Sequence, residues 1–264
     1  MIEVLFLGVG SAIPMPGQTN SSFVLRVDDT RILIDCGPAI LQQLAAVGMS
    51  PSALTHVYFT HRHGDHSLGY AMLMLWWSIF APAGAPLPVI IASAITFRTL
   101  DVLMKSAFGA ELATKAAEAP HVVLPDTDTT TQVTPAIRLR TIPLRHHEFA
   151  PVLGARFEVD GKVLTFTGDT MPTDNVIKLA RDADLLVHDS TYSATLNPEH
   201  AEGAFGHSTA LNAALHAKLA NVKHLALVHI DSIYEGKVPI LIEEAERKFS
   251  GRVSAPVAGT LYTF

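Results

Sequence analysis

Three imidazoles and a carboxylate stand within the six residues His61-Arg62-His63-Gly64-Asp65-His66, four side chains of the kind that hold a divalent cation. Histidines at i and i+2 on an extended segment point the same way, so His61 and His63 can grip one ion. Asp65 and His66, past the turn at Gly64, can face a second ion beside it. Buried imidazoles and carboxylates need partners, and a motif this polar between strongly apolar flanks is hard to explain as packing. Cys36 is the only cysteine. No intramolecular disulfide can form, and any metal must be held by histidine and carboxylate.

Six residues cannot complete two coordination shells, so the remaining ligands are sought at other strand ends, where ligands gather in open sheets. Three places qualify. His146 and His147 follow a predicted strand over Ala136 to Leu144, Asp169 follows one over Lys162 to Thr167, and His229 follows one over His224 to Val228. A carboxylate such as Asp169 can bridge two cations roughly 3.5 to 4 Å apart, the usual separation in two-metal hydrolytic sites. Either of the adjacent pair His146 and His147 could serve. His188 reads as structural, and His56, His121, His200, His216 and His224 as polar residues of surface or core.

The elements that must position these groups follow from the apolar runs. Ile2 to Leu7 reads as a first strand, Phe23 to Val27 and Arg31 to Ile34 as a hairpin, and Pro38 to about Val47 as a helix. Thr55 to Thr60 is a strand leading into the histidine motif, which opens a helix through the apolar stretch Leu68 to Ala81. That stretch is shorter than the roughly 20 residues needed to cross a bilayer. It reads as core or interface, with either Trp76 or Trp77 available to a partner surface. Helical segments are expected around Ile95 to Ala119, and the polar run Asp126 to Thr134 reads as a surface connection. Strands at Ala155 to Val159 and Lys162 to Thr167 meet across an Asp160-Gly161 turn. Helix and strand then alternate: Asp174 to Ala180, Leu185 to Val187, Ser208 to Ala220, His224 to Val228, Val238 to Phe249 and a final pair of short strands. Strand-rich and helix-rich stretches thus occur twice in similar order. This predicts an α/β fold of two mixed sheets with helices outside, in one domain over 1–264.

The chain has 264 residues, with 48% hydrophobic and 17% charged residues and a net charge of −6. That composition buries a large core and excludes a disordered chain. The start, MIEVLFLGVGS, has no Lys or Arg ahead of its apolar run, which reads as a strand rather than a secretory leader, so a cytoplasmic protein is expected.

Several stretches carry a resemblance to the metallo-β-lactamase superfamily, whose HxHxDH motif matches His61 to His66. They are FLGVGSAIP at Phe6 to Pro14, NSSFVL at Asn20 to Leu25, LIDCG at Leu33 to Gly37 and FTHRHGDHSLG at Phe59 to Gly69. FTGDT at Phe166 to Thr170, HDST at His188 to Thr191 and the segment Gly206 to Ile230 complete the set. They resemble in particular the branch containing RNase Z, cyclic-nucleotide phosphodiesterases and arylsulfatases, and they cover nearly the whole chain. The resemblance implies a four-layer αββα sandwich. It implies a first metal held by His61, His63 and His146, a second by Asp65, His66 and His229, and Asp169 between them. His146 is favoured over His147 by its spacing from Pro143 and Arg156. Two further residues carry over as a pair: His207 in GHSTA, and Asp189 in HDST where RNase Z usually has a glutamate. A predicted helix follows His207, with Ser208 as its N-cap and Leu211, Leu215 and Leu219 as its apolar stripe. An imidazole held there by Asp189 could donate a proton to a leaving group.

Two adjacent cations lower the pKa of a shared water toward neutrality and so make a hydroxide nucleophile available, with Asp65 and Asp169 orienting it. Zinc is the default for such a His/Asp set, with manganese and iron compatible. This chemistry suits phosphodiesters, sulfate esters, lactones and β-lactams alike. The Asp189/His207 pair favours a hydrolase of small phosphodiesters, ahead of an arylsulfatase, lactonase or β-lactamase-type enzyme, and ahead of a non-catalytic metal-binding protein. A tRNA 3′ endonuclease is disfavoured because the interval from His147 to Asp169 is too short for the tRNA-gripping arm of RNase Z. The loop residues after Asp35-Cys36-Gly37 also differ, and no basic cluster exceeds Arg138, Arg140 and Arg145. The partners expected are therefore a small-molecule ester and a second copy of the chain, with no nucleic acid and no membrane.

Overall fold

The computed structural model describes residues 1–147 and 150–264. Its strands are β1 (Ile2–Gly8), β2 (Ser22–Val27), β3 (Thr30–Ile34), β4 (His56–Tyr58), β5 (Val89–Ser93), β6 (His121–Leu124), β7 (Thr129–Thr134), β8 (Ile137–His147), β9 (Ala150–Val159), β10 (Lys162–Phe166), β11 (Leu185–Asp189), β12 (His224–Val228), β13 (Arg252–Ser254) and β14 (Leu261–Thr263). The α-helices are α1 (Ile40–Ala46), α2 (Gly64–Ser67), α3 (Gly69–Phe80), α4 (Ala94–Ala116), α5 (Asp174–Ala180), α6 (Ala210–Leu219) and α7 (Val238–Glu246).

The chain forms two compact units. One holds residues 1–9, 18–124 and 257–264; the other holds 10–17 and 125–256. In the first unit, seven strands run in the order β14-β1-β2-β3-β4-β5-β6. The pairings from β14 to β3 are antiparallel and those from β3 to β6 parallel. The second unit has the order β7-β8-β9-β10-β11-β12-β13, again three antiparallel pairings followed by three parallel ones. The recurrence of strand-rich and helix-rich stretches in the sequence is thus a repeated sheet plan. The two last strands, which the sequence suggests as a pair, belong to different sheets.

Each sheet buries an apolar face against its own helices. In the first unit Leu33, Val57 and Ile90 pack with Leu44 of α1 and Leu73 and Trp77 of α3. Cys36 is fully buried in this cluster, and burial pushes its thiol well above the ordinary range, so packing accounts for it. In the second unit Leu186, Leu225 and Leu227 pack with Ala210, Ala213, Ala214 and Ala217 of α6 and with Leu241 of α7.

Two local expectations are corrected, and one strand was not expected. The polar stretch over 126–134 contains the edge strand β7, whose β-branched threonines pair with β8 from Thr129↔Thr141 to Thr134↔Ile137. An edge strand needs little apolar character, which is why its composition resembled a loop. His121–Leu124 forms β6, another edge strand, just past the expected helical region. On α6, Leu215 and Leu219 face solvent while the alanines go inward, and the N-cap is Thr209 in a capping box with Asn212. The face of α6 in the core cluster is made of Ala210, Ala213, Ala214 and Ala217. Among the described residues no helix is long and apolar enough to cross a membrane.

Candidate metal centre

In the first unit the ligand-type side chains lie beyond the carboxyl ends of the parallel strands β3 and β4. His61 and His63 point to one side, their ring centroids 4.8 Å apart, and the His66 ring lies 4.3 Å from that of His61. His66 Nε2 stands 3.2 Å from Asp65 Oδ2. The loop after β3 is drawn tightly against this segment: the Cys36 N–H donates to the His66 carbonyl and the Gly69 N–H to the Cys36 carbonyl. A Cβ at Gly69 would collide with the Gly37 carbonyl oxygen, so only glycine permits the approach. Its result is to place Asp35 against His66.

Asp35 is buried. One of its oxygens lies 2.8 Å from His66 Nδ1, and its carboxylate also accepts from the Thr60 N–H and hydroxyl. The Thr60 hydroxyl has one proton, which it gives to Asp35, so it accepts from His61 Nδ1 at 3.0 Å. Both imidazoles are thereby held with Nδ1 as the donor and with the lone pair on Nε2. This is the outer-shell arrangement that orients metal-ligating histidines.

The second unit repeats the device. β8 and β10 are both antiparallel to β9, so their carboxyl ends share one edge of the sheet. His146 and His147 end β8 rather than following it. Of the two, His146 turns inward, its Nε2 3.8 Å from Asp169 Oδ2, while His147 is exposed. On the other side of the same carboxylate, His229 Nε2 lies 3.4 Å from Asp169 Oδ1. One carboxylate with an imidazole nitrogen near each oxygen is the disposition of a bridging ligand. His146 Nδ1 donates to the Gly206 carbonyl at 2.8 Å, and burial pushes its pKa down to about 4 against the opposing pull of Asp169. It is therefore a neutral imidazole at neutral pH.

Asp189 ends β11 fully buried. Its Oδ2 lies 2.9 Å from His207 Nδ1, and its Oδ1 accepts the Thr191 hydroxyl at 2.7 Å, which leaves that hydroxyl to accept from His229 Nδ1 at 2.8 Å. The Thr170 and Thr191 N–H groups also donate to it. Burial alone raises the Asp189 carboxyl, but the His207 ring outweighs it and holds the group below the usual carboxylate range. The His207 and His229 rings stack at 5.0 Å. Donor atoms of Asp189, His207 and His229 all lie within 4.8 Å of one another. Ser208, expected as a cap, instead donates to the Thr170 carbonyl. Thr60 and Thr191 were legible only as members of motifs; their roles depend on contacts with residues distant in sequence. His188 and His216 pair with each other at 2.9 Å in the interior.

The donor set of both units suits divalent cations of the zinc type: imidazoles with fixed tautomers, two carboxylates and no thiolate. The family described as anti-Pycsar protein Apyc1 matches the chain over residues 2–227. The ribonuclease Z of Mycobacterium bovis (strain BCG / Pasteur 1173P2) is 33% identical over 267 residues, covering 96% of this chain and 95% of that protein. The ribonuclease Z of Methanothermobacter thermautotrophicus is 30% identical over 288 residues, covering 94% and 92%. Among solved structures, the metallo-β-lactamase fold protein YhfI from Bacillus subtilis superposes with a TM-score of 0.80 at 21% identity, covering 99% of this chain and 98% of its own. The short form of human tRNase Z gives a TM-score of 0.78 at 23% identity, with 99% and 98% covered. Two mixed seven-stranded sheets flanked by helices are thus the metallo-β-lactamase fold.

Proposed function

The chain belongs to the anti-Pycsar protein Apyc1 family and is a relative of ribonuclease Z, and from that premise we propose that it is a dinuclear metal-dependent hydrolase of phosphodiester bonds. In this reading His61, His63 and His146 hold one cation, Asp65, His66 and His229 the other, and Asp169 bridges them. Zinc is proposed for both. Bound there, the cations would supply an acidified water and would neutralise charge on the phosphoryl oxygens. Asp65 and Asp169 orient the attacking oxygen. His207, held through Nδ1 by Asp189, keeps Nε2 for the proton that the leaving oxygen needs as the ester bond breaks.

The observation that carries the reading is the His207–Asp189 pair at 2.9 Å, stacked on the candidate ligand His229. A buried carboxylate that favours the imidazolium form is what a proton donor to an alkoxide requires. The substrate proposed is a small phosphodiester, supported by the net charge of −6 and by the sequence having no basic cluster beyond Arg138, Arg140 and Arg145. A second reading, a tRNA 3′ endonuclease, is favoured by the ribonuclease Z relatives. A homodimer is proposed as the assembly: α3 buries Leu73, Met74 and Trp77 while Met72, Ile79 and Phe80 remain exposed apolar residues.

The test is hydrolysis of bis(p-nitrophenyl) phosphate, p-nitrophenyl sulfate, a lactone, a chromogenic β-lactam and a precursor tRNA by zinc- and manganese-loaded protein, beside His207→Ala. Diester turnover is expected to fall about 10²- to 10⁴-fold in the variant, the usual worth of a positioned acid, with metal content retained. Absent diester turnover, or turnover indifferent to His207, overturns the proposal. Preferential cleavage of the precursor tRNA selects the second reading.

A further inference from the structure

Glu244 on α7 is a carboxylate that the proposed chemistry does not use, and it is only 2% exposed. The groups that donate to it are all neutral. The Ser193 hydroxyl reaches Oε2 at 2.7 Å and the Thr195 N–H the same oxygen at 2.9 Å, while the Ala194 and Leu211 N–H groups each reach Oε1 at 2.9 Å. Burying a charge is costly unless its hydrogen bonds are met. Packing would be served by an amide of the same shape, but only a carboxylate accepts from all of these donors, because neither of its oxygens carries a proton.

The donors belong to two segments. Ser193 lies four residues beyond Asp189, and Leu211 four beyond His207. Between these points the segments are laced together: the Tyr192 N–H donates to the Ser208 carbonyl at 3.2 Å and the Ala210 N–H to the Tyr192 carbonyl at 2.9 Å. Glu244 closes the lacing. It fastens the stretch leaving Asp189 to the stretch leaving His207, so both members of the proton-donor pair are carried on backbone that this one side chain joins.

We propose that Glu244 is a positioning residue: by clamping the two segments in register it keeps His207 Nδ1 on Asp189 and thereby aims the Nε2 proton at the leaving oxygen. The proposal rests on the phosphodiesterase reading. A displaced acid costs rate rather than substrate binding, because its proton is transferred only in the transition state.

The test is Glu244→Gln, which keeps the shape but sets an amide NH2 against at least one backbone N–H in either orientation. Ser193→Ala, which keeps the carboxylate and removes one donor, is the milder variant and carries the same comparison if Glu244→Gln does not fold. Turnover of diphenyl phosphate and of bis(p-nitrophenyl) phosphate by the zinc-loaded protein is measured in the native and His207→Ala backgrounds. In the native background kcat on diphenyl phosphate is expected to fall about tenfold with KM unchanged. The loss is expected to be smaller on the nitrophenyl ester, whose leaving group needs the proton less. In His207→Ala the effect of Glu244→Gln is expected to vanish, since the two residues act as one unit. Without any substrate, the downfield Nδ1 proton resonance of His207, assigned by its loss in His207→Ala, is expected to broaden or disappear in Glu244→Gln. An equal loss of rate in both backgrounds, or an unchanged resonance, overturns the clamp and leaves the phosphodiesterase reading intact. If neither ester is cleaved yet the resonance responds to Glu244, the clamp stands and that reading falls.

Discussion

Asp35→Asn changes no volume, so its effect isolates what the carboxylate does for the metal centre. In the native unit Oδ1 accepts from the Thr60 N–H at 2.8 Å and from the Thr60 hydroxyl at 3.1 Å. Oδ2 lies 2.8 Å from both the Thr60 hydroxyl and His66 Nδ1. A carboxylate meets all of these because both oxygens accept. An amide has one accepting oxygen, so its NH2 must face either the Thr60 N–H, which cannot rotate away, or His66 Nδ1. In the second orientation the His66 proton must move to Nε2, the nitrogen proposed to coordinate. A buried donor set against a donor costs about 1–3 kcal/mol. Loss of the partner that orients a metal-ligating histidine typically costs 10- to 100-fold in affinity, about 1.4 to 2.7 kcal/mol. The two routes agree. Zinc affinity at the site containing His66 is therefore expected to fall 10- to 100-fold, with Tm lowered by a few degrees. Competition with a chromogenic chelator, with stoichiometry by elemental analysis, measures the first, and circular dichroism the second. A variant that retains two tightly bound zinc ions and full hydrolytic activity refutes the argument.

Gly206→Ala should act on the ligand-type residues of the second unit: a Cβ there would lie 2.6 Å from His146 Nδ1 in a left-handed backbone. We expect the variant to bind one metal ion less tightly by at least about tenfold, and unchanged stoichiometry and affinity would count against His146 as a ligand. The buried His188–His216 pair predicts acid sensitivity. Burial depresses His216 from 6.5 to about 3, and His188 is lowered in the same direction. Between these values the unfolded chain binds the extra proton, so stability is complete above about pH 6.5 and is lost as pH falls, at up to about 1.4 kcal/mol per pH unit per histidine. His216 alone should remove about 2 kcal/mol between pH 6.5 and 5. Urea unfolding of the native protein and His216→Leu at both pH values tests this, and an equal pH slope in the two proteins would contradict it.

Local sequence determined the parts of this protein whose physics is local. Apolar runs ended by Gly, Pro or Asp specify strands such as Ile2–Gly8 and His224–Val228, and Asp160-Gly161 specifies its hairpin. The histidine motif carries its own geometry, because i and i+2 on an extended chain must share a side. Tertiary structure decided the rest. His146 and His147 are chemically identical neighbours, and only the pairing of β8 with β9 turns one toward Asp169 and the other to solvent. Asp35 acquires its role from His66, 31 residues away, and Thr191 from His229, 38 residues away. Leu215 and Leu219 have the helical spacing of a core stripe, but the helix packs closely through Ala213, Ala214 and Ala217. Hydrophobic periodicity reports which residues favour leaving water. It does not report which polar atoms meet, because hydrogen bonds are directional and short, and their partners are chosen only when the sheets bring distant strand ends together.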